Sequence, residues 1–148
     1  MPHQVTRATI QDVPQLVALE HLCFQSDLLS AAQFRAFIKR TSSEVIVTRL
    51  DDTIVGAAVI LYRRGSTIAR LYSIAVTPHL HGKNIAQPLL DFLETAAKEH
   101  GCKEMRLEVS VKNARAIRFY EKNHYHHFAD IKHFYENGDD ALRMKKLF

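Results

Sequence analysis

This chain has no long apolar run, no set of paired cysteines and no block of like charge. No apolar stretch in its 148 residues approaches the ~18 that a membrane span needs. The opening stretch MPHQVTRATIQDVPQ holds no apolar core of the secretory kind. A cytoplasmic location, away from membranes, is therefore expected. The two cysteines, Cys23 and Cys102, stand in separate segments without metal-type neighbour spacing, so reduced structural thiols and no metal are expected. Lys and Arg exceed Asp and Glu by 20 to 16, which gives a net charge of +4 and a pI near 9.2. That balance favours an anionic partner. Yet no basic run exceeds two residues and no aromatic–basic interleaving occurs, which argues against a nucleic-acid reader. A small anionic ligand accounts for the excess. There is no internal repeat, low-complexity tract or linker, and one globular α/β domain over residues 1–148 is expected.

What is present reads as alternating strands and helices. QVTRAT predicts a short strand. DVPQLVALEHLCF has Val13, Leu16, Val17, Leu19 and Leu22 at helical spacing, with Asp12 and Gln15 as a capping box and Pro14 in the first turn. Ser30 and Gln33 repeat the cap before a second helix, AAQFRAFIKR. EVIVTRL and TIVGAAVILYR read as a hairpin joined by Asp51 and Asp52, and TIARLYSIAV as a buried central strand. A helix AQPLLDFLETAAKEH ends at Gly101. KEMRLEVSV alternates as a strand, and Asn113 caps ARAIRFYEKN. HYHHFADIKHFY and DALRMKKLF close the chain around the turn ENGDD. The predicted order is β-α-α-β-β-β-α-β-α-β-β.

The stretch VTPHLHGKNIAQPLL, Val76 to Leu90, runs from a strand through a loop into a helix. Such a loop can hold an anion, because the first N–H groups of a helix lack intrahelical partners and the dipole is positive there. By itself the pattern is equally that of a plain connection. Pro88 delays the regular helix to about Asn84 or Ile85.

Two motifs together carry a resemblance. Val76, Pro78, His81, Gly82, Asn84 and Ala86 are similar to the V-x-P-x-x-(R/Q)-G-x-G-x-(G/A) loop of the GNAT superfamily of acyl-coenzyme A-dependent N-acetyltransferases. Asn113, Ala116, Phe119, Tyr120, Glu121 and Lys122 are similar to its N-x-x-A-x-x-(L/F)-Y-E-K helix. The ending FYENGDDALRMKKLF and the segment RLEVSVKNARAIRFYEK resemble the RimI type, the ribosomal-protein N-terminal acetyltransferases. The resemblance implies a GNAT fold with a central, mixed, mostly antiparallel sheet. It implies acetyl transfer from acetyl-CoA to a primary amine, and a monomer or homodimer that needs neither metal nor nucleic acid.

It also implies roles. The backbone of Ile74, Ala75 and Val76 would pair with the pantetheine arm. The N–H groups of His81, Gly82, Lys83, Asn84, Ile85 and Ala86 would hold the pyrophosphate. Asn113 would contact the coenzyme through its side chain, and Tyr120 would protonate the departing thiolate. Glu108 would be the base, with Tyr72 as second choice through a water. Read from the residues alone, Tyr120 is rather a buried aromatic on a helix face, and Glu108 a solvated strand glutamate or one paired with Arg106 or Lys103. Arg115 and Arg118 read as solvated.

This sequence departs from the family pattern at His81, where arginine or glutamine is usual, and at Asn84 and His124, where glycine is usual; both of the latter are expected to take positive φ. His124 and His126 would share a face if both lay on a strand. The acceptor could be a protein N-terminus or a small amine. A domain that binds acyl-coenzyme A without turnover is a reading of a different class.

Overall fold

The computed structural model describes residues 3–148. Its elements follow the predicted order: β1 (His3–Arg7), α1 (Val13–Cys23), α2 (Ala31–Lys39), β2 (Ser43–Leu50), β3 (Thr53–Tyr62), β4 (Ile68–Val76), α3 (Ala86–Glu99), β5 (Glu104–Ser110), α4 (Ala114–Lys122), β6 (His126–Ile131) and β7 (Ala141–Leu147). The strands form one sheet in the order β1-β2-β3-β4-β5-β7-β6. Only β4 and β5 pair in parallel. Among the described residues no helix is long and apolar enough to cross a membrane.

Helices cover the sheet unequally. Leu89, Leu90 and Leu93 of α3 and Tyr120 of α4 pack with Ile46, Ile60, Leu71, Met105, Leu107 and Met144 on one face. On the other face α1 and α2 bring Leu16, Leu19, Phe34 and Phe37 against Val45, Val47, Val59 and Ala75. Fully burying each such side chain contributes roughly 1.5–3 kcal/mol.

Two local readings are corrected. The cap before α1 lies one turn earlier than expected: Thr9 N–H donates to Asp12 Oδ2 at 2.8 Å, and Arg49 Nη2 donates to the same oxygen at 2.5 Å. Gln15 reaches across to the β2–β3 turn instead. Its Oε1 accepts from Ile54 N–H and its Nε2 donates to the Asp52 carbonyl. The buried stripe of α1 also differs. Leu22 is 60% exposed, whereas Glu20 is only 4% exposed. Glu20 lies four residues after Leu16 and seven after Val13, which puts it on their face of the helix. The predicted Ser30–Gln33 capping box is present, and Asp51 takes φ 56° in the hairpin turn.

The feature that makes the site is a bulge in β4. Val59 faces Ser73 and Ile60 faces Leu71, so Tyr72 is the extra residue. Pairing of β4 with β5 stops at Leu71 opposite Leu107. Beyond that point the two parallel strands separate, and the β5-facing main-chain groups of β4 have no strand partner.

Candidate active site

The opening between β4 and β5 is a cleft of about 660 Å3. Leu71, Tyr72, Ser73 and Ile74 form one wall and Leu107 to Ser110 the other. Tyr120 and Asn113 of α4 close one side; Glu20, Cys23, Asp27 and Tyr135 stand on the other. Of the three β4 residues expected to pair with a pantetheine arm, Ile74 lines the cleft. Ala75 turns its methyl into the apolar layer under α1. The Val76 carbonyl already has two donors, His81 Nε2 at 2.9 Å and Cys23 Sγ at 3.4 Å. A carbonyl only accepts, so His81 carries its proton on Nε2. Burial, with Glu20 nearby, pushes the Cys23 thiol up to about 11, so it stays protonated and donates.

The loop after β4 begins with a short 3-10 turn at Pro78–Leu80, and α3 starts at Ala86, late as Pro88 predicts. Gly82 has φ 83° and Asn84 φ 61°. Asparagine thus adopts the left-handed backbone that the family fills with glycine. His81 N–H is bonded to the Pro78 carbonyl and Lys83 N–H to the Leu80 carbonyl. Among the described residues, the N–H groups of Gly82, Asn84, Ile85 and Ala86 have no backbone acceptor, Ala86 as the first residue of α3. These four are the open donors of the six expected. The loop is anchored because Ile85 packs on Gly56 of β3. A Cβ built on Gly56 would lie 3.3 Å from Ile85 Cγ2 and 3.4 Å from Thr48.

Tyr120 is held by an edge-on contact with Tyr125, ring centroids 5.7 Å apart. Tyr125 in turn donates to Glu94 Oε2 at 2.8 Å, and Lys146 donates to Glu94 Oε1 at 2.8 Å. Burial above all, with the Tyr135 phenol nearby, raises the Tyr120 phenol well above its ordinary value. It therefore holds its proton through the neutral range. Asn113 Oδ1 accepts from Ala116 N–H at 3.2 Å and caps α4, while its side-chain amide nitrogen has no partner among the described residues.

Glu108 is ion-paired, though not to Arg106 or Lys103. Its Oε1 accepts from Arg70 Nε and Nη2 at 3.0 and 2.8 Å, and its Oε2 from Arg143 Nε at 2.9 Å. Arg106 pairs with Glu104. Tyr72 stands in the cleft with Phe37 at 5.8 Å and Arg70 at 5.2 Å from its ring. His124 lies in the turn before β6 with φ 72°, so it does not share a strand face with His126.

Three cleft features were not foreseen from the sequence. Glu20 is raised chiefly by burial, against the pull of the Leu29 N–H that it accepts at 2.9 Å. Tyr135 is pushed up to about 12 by burial and then by Glu108 and Asp27. Asp27 and Glu136 clasp each other: Asp27 N–H donates to Glu136 Oε1 at 2.6 Å, and Glu136 N–H donates to Asp27 Oδ2 at 3.1 Å. Only Glu20 had a local signal, as a charge on the apolar face of α1.

Unpaired strand edge and free N–H groups on one side, with a protonated phenol above them, suit transfer of an acyl group from a thioester. The comparisons with known proteins agree. Residues 13–125 match the acetyltransferase (GNAT) family model, and the chain belongs to that family of acyltransferases. It is 32% identical over 110 residues to an uncharacterized N-acetyltransferase of Mycobacterium tuberculosis, covering 74% of this chain and 70% of the relative. It is 26% identical over 137 residues to N-alpha-acetyltransferase 30 of Schizosaccharomyces pombe, covering 90% and 89%. The crystal structure of the Escherichia coli ribosomal-protein-S18-alanine N-acetyltransferase superposes with a TM-score of 0.87 at 20% identity, over 99% of this chain and 94% of that one.

Proposed function

We propose that this acetyltransferase moves the acetyl group of acetyl-CoA onto the amino terminus of a protein or peptide in the cytoplasm. The observation that carries the reading is the Asp27–Glu136 clasp. It ties the α1–α2 loop to the β6–β7 loop, and both loops contribute residues to the acceptor side of the cleft. A chain end is slender enough to reach the cleft between these loops, and the carboxylates of Asp27 and Glu136, bonded there to main-chain N–H groups, attract an ammonium. The likeness to the fission yeast enzyme supports the same acceptor class.

The unpaired edge of β4 around Ile74 receives the pantetheine arm, and the N–H groups of Gly82, Asn84, Ile85 and Ala86 receive the pyrophosphate. The Asn113 side-chain amide contacts the coenzyme. Glu108 accepts a proton from the incoming ammonium, directly or through a water, at Oε2: Oε1 already takes two bonds from Arg70, whereas Oε2 takes one from Arg143 and keeps a second acceptor position. The free amine attacks the thioester carbon, and a main-chain N–H steadies the oxyanion. The C–S bond then breaks, and Tyr120 gives its proton to the thiolate.

The test is thiol release from acetyl-CoA with a panel of peptides and small amines. Turnover concentrated on free-N-terminal peptides, and lost when those N-termini are blocked, is expected. Turnover confined to polyamines or amino acids would replace the acceptor assignment. Coenzyme binding by calorimetry without turnover on any amine would leave a sensor.

A further inference from the structure

Beside the cleft, one sheet face is bare. The apolar layer under α1 and α2 contains residues of β2, β3 and β4, and none of β5, β6 or β7. On that face Arg70, Arg106, Lys145 and His126 stand in register across four adjacent strands, and residues paired this way project from the same side. The next rung toward the cleft is Glu108 beside Arg143. Glu108 fixes Arg70 and Arg143, and Glu104 fixes Arg106. Lys145 has no carboxylate partner among the described residues, so the face keeps a positive excess. Phe128 is the extra residue of a bulge in β6, where His127 faces Met144 and Ala129 faces Arg143. Its exposed ring lies 5.1 Å from the Arg106 guanidinium and 4.9 Å from the Lys145 ammonium, contacts that hold both cations in place. The ladder begins at the cleft wall, because Arg70 and Glu108 belong to it.

We propose that this face receives the part of the acceptor polypeptide that follows the acetylated end, and that it selects acidic residues there. The inference rests on the polypeptide acceptor assigned above. Three strand spacings of about 4.8 Å separate β4 from β6, a width that roughly four extended residues cover. A chain leaving the cleft across the ladder would place about its fourth to seventh residues over Arg106, Lys145 and Phe128. Carboxylates there meet fixed cations whose side chains have little left to order, which lowers the cost of pairing.

The experiment uses the full chain, saturating acetyl-CoA, and peptides that share their first three residues and carry Glu, Ser or Lys at positions four to seven. The expected order of kcat/KM is Glu over Ser over Lys, with about a tenfold spread between the extremes at low salt that shrinks in high salt. Lys145→Glu should remove or invert the order, while coenzyme Kd and turnover of a three-residue peptide amide stay unchanged. Arg106→Ser should narrow it. Equal kcat/KM for the three peptides overturns the inference and leaves the acceptor class standing. So does an unchanged order in Lys145→Glu, or inhibition by single-stranded RNA with no preference among peptides, which would give the face to nucleic acid. Turnover of small amines alone removes the polypeptide acceptor and this inference with it.

Discussion

The two sides of the cleft are built from different material. The proposed coenzyme side is main chain: an unpaired strand edge beyond Leu71 and four free N–H groups in the loop before α3 and at its first residue. The acceptor side is side chain: Glu20 from α1, Glu108 held by two arginines, and a clasp between residues 109 positions apart. Main-chain donors survive substitution as long as the backbone path is kept, which is why His81 and Asn84 can stand where the family has other residues. Charged side chains on the acceptor side have no such tolerance.

Substitutions should separate the two sides. The largest effect is expected where they meet. Tyr120→Phe should lower kcat by roughly 100-fold or more and leave coenzyme affinity by calorimetry unchanged; an unaltered kcat would take Tyr120 out of the reaction. Opening the clasp comes next. Asp27→Ala with Glu136→Ala should raise acceptor KM about three- to tenfold with coenzyme KM constant, and equal effects on both would mean that the clasp supports the whole cleft. His81→Arg should act on the opposite side only, by releasing the Val76 carbonyl and placing a permanent charge near the loop. Coenzyme Kd should tighten by about threefold, and weaker binding would show that the His81–Val76 contact shapes the loop. The smallest effect concerns Glu20. Its folded carboxyl is raised by burial, so the folded state keeps a proton that the unfolded chain has lost. Stability therefore falls as pH rises from the ordinary carboxylate range through the raised value. Glu20→Gln should melt higher than the parent at neutral pH and equally near about pH 4. A parent that melts higher at neutral pH would contradict the burial argument.

Legibility in the sequence followed the same division. The element order, the late start of α3 and the positive φ at Asn84 and His124 were readable, because each rests on local spacing and backbone preference. The proposed loop residues could be numbered from the motif, but not which N–H groups stay free, since the 3-10 turn takes those of His81 and Lys83. The partners of Glu108 were misjudged because neighbours on one strand were weighed where residues of adjacent strands, Arg70 and Arg143, lie closer. Residue type points to Leu22 for the core of α1, whereas spacing from Val13 and Leu16 selects Glu20, and the spacing prevails. The clasp left no trace, since nothing local joins Asp27 to Glu136.

The bulge at Tyr72 has a consequence for how this fold can vary. The cleft exists because one residue too many prevents β4 from staying zipped to β5. Removing Tyr72 by deletion would let the strands continue side by side and gain hydrogen bonds along an edge that now has none. The shortened protein would have a more regular sheet and a smaller cleft, so the surplus residue costs the sheet hydrogen bonds and supplies the opening that the proposed chemistry uses.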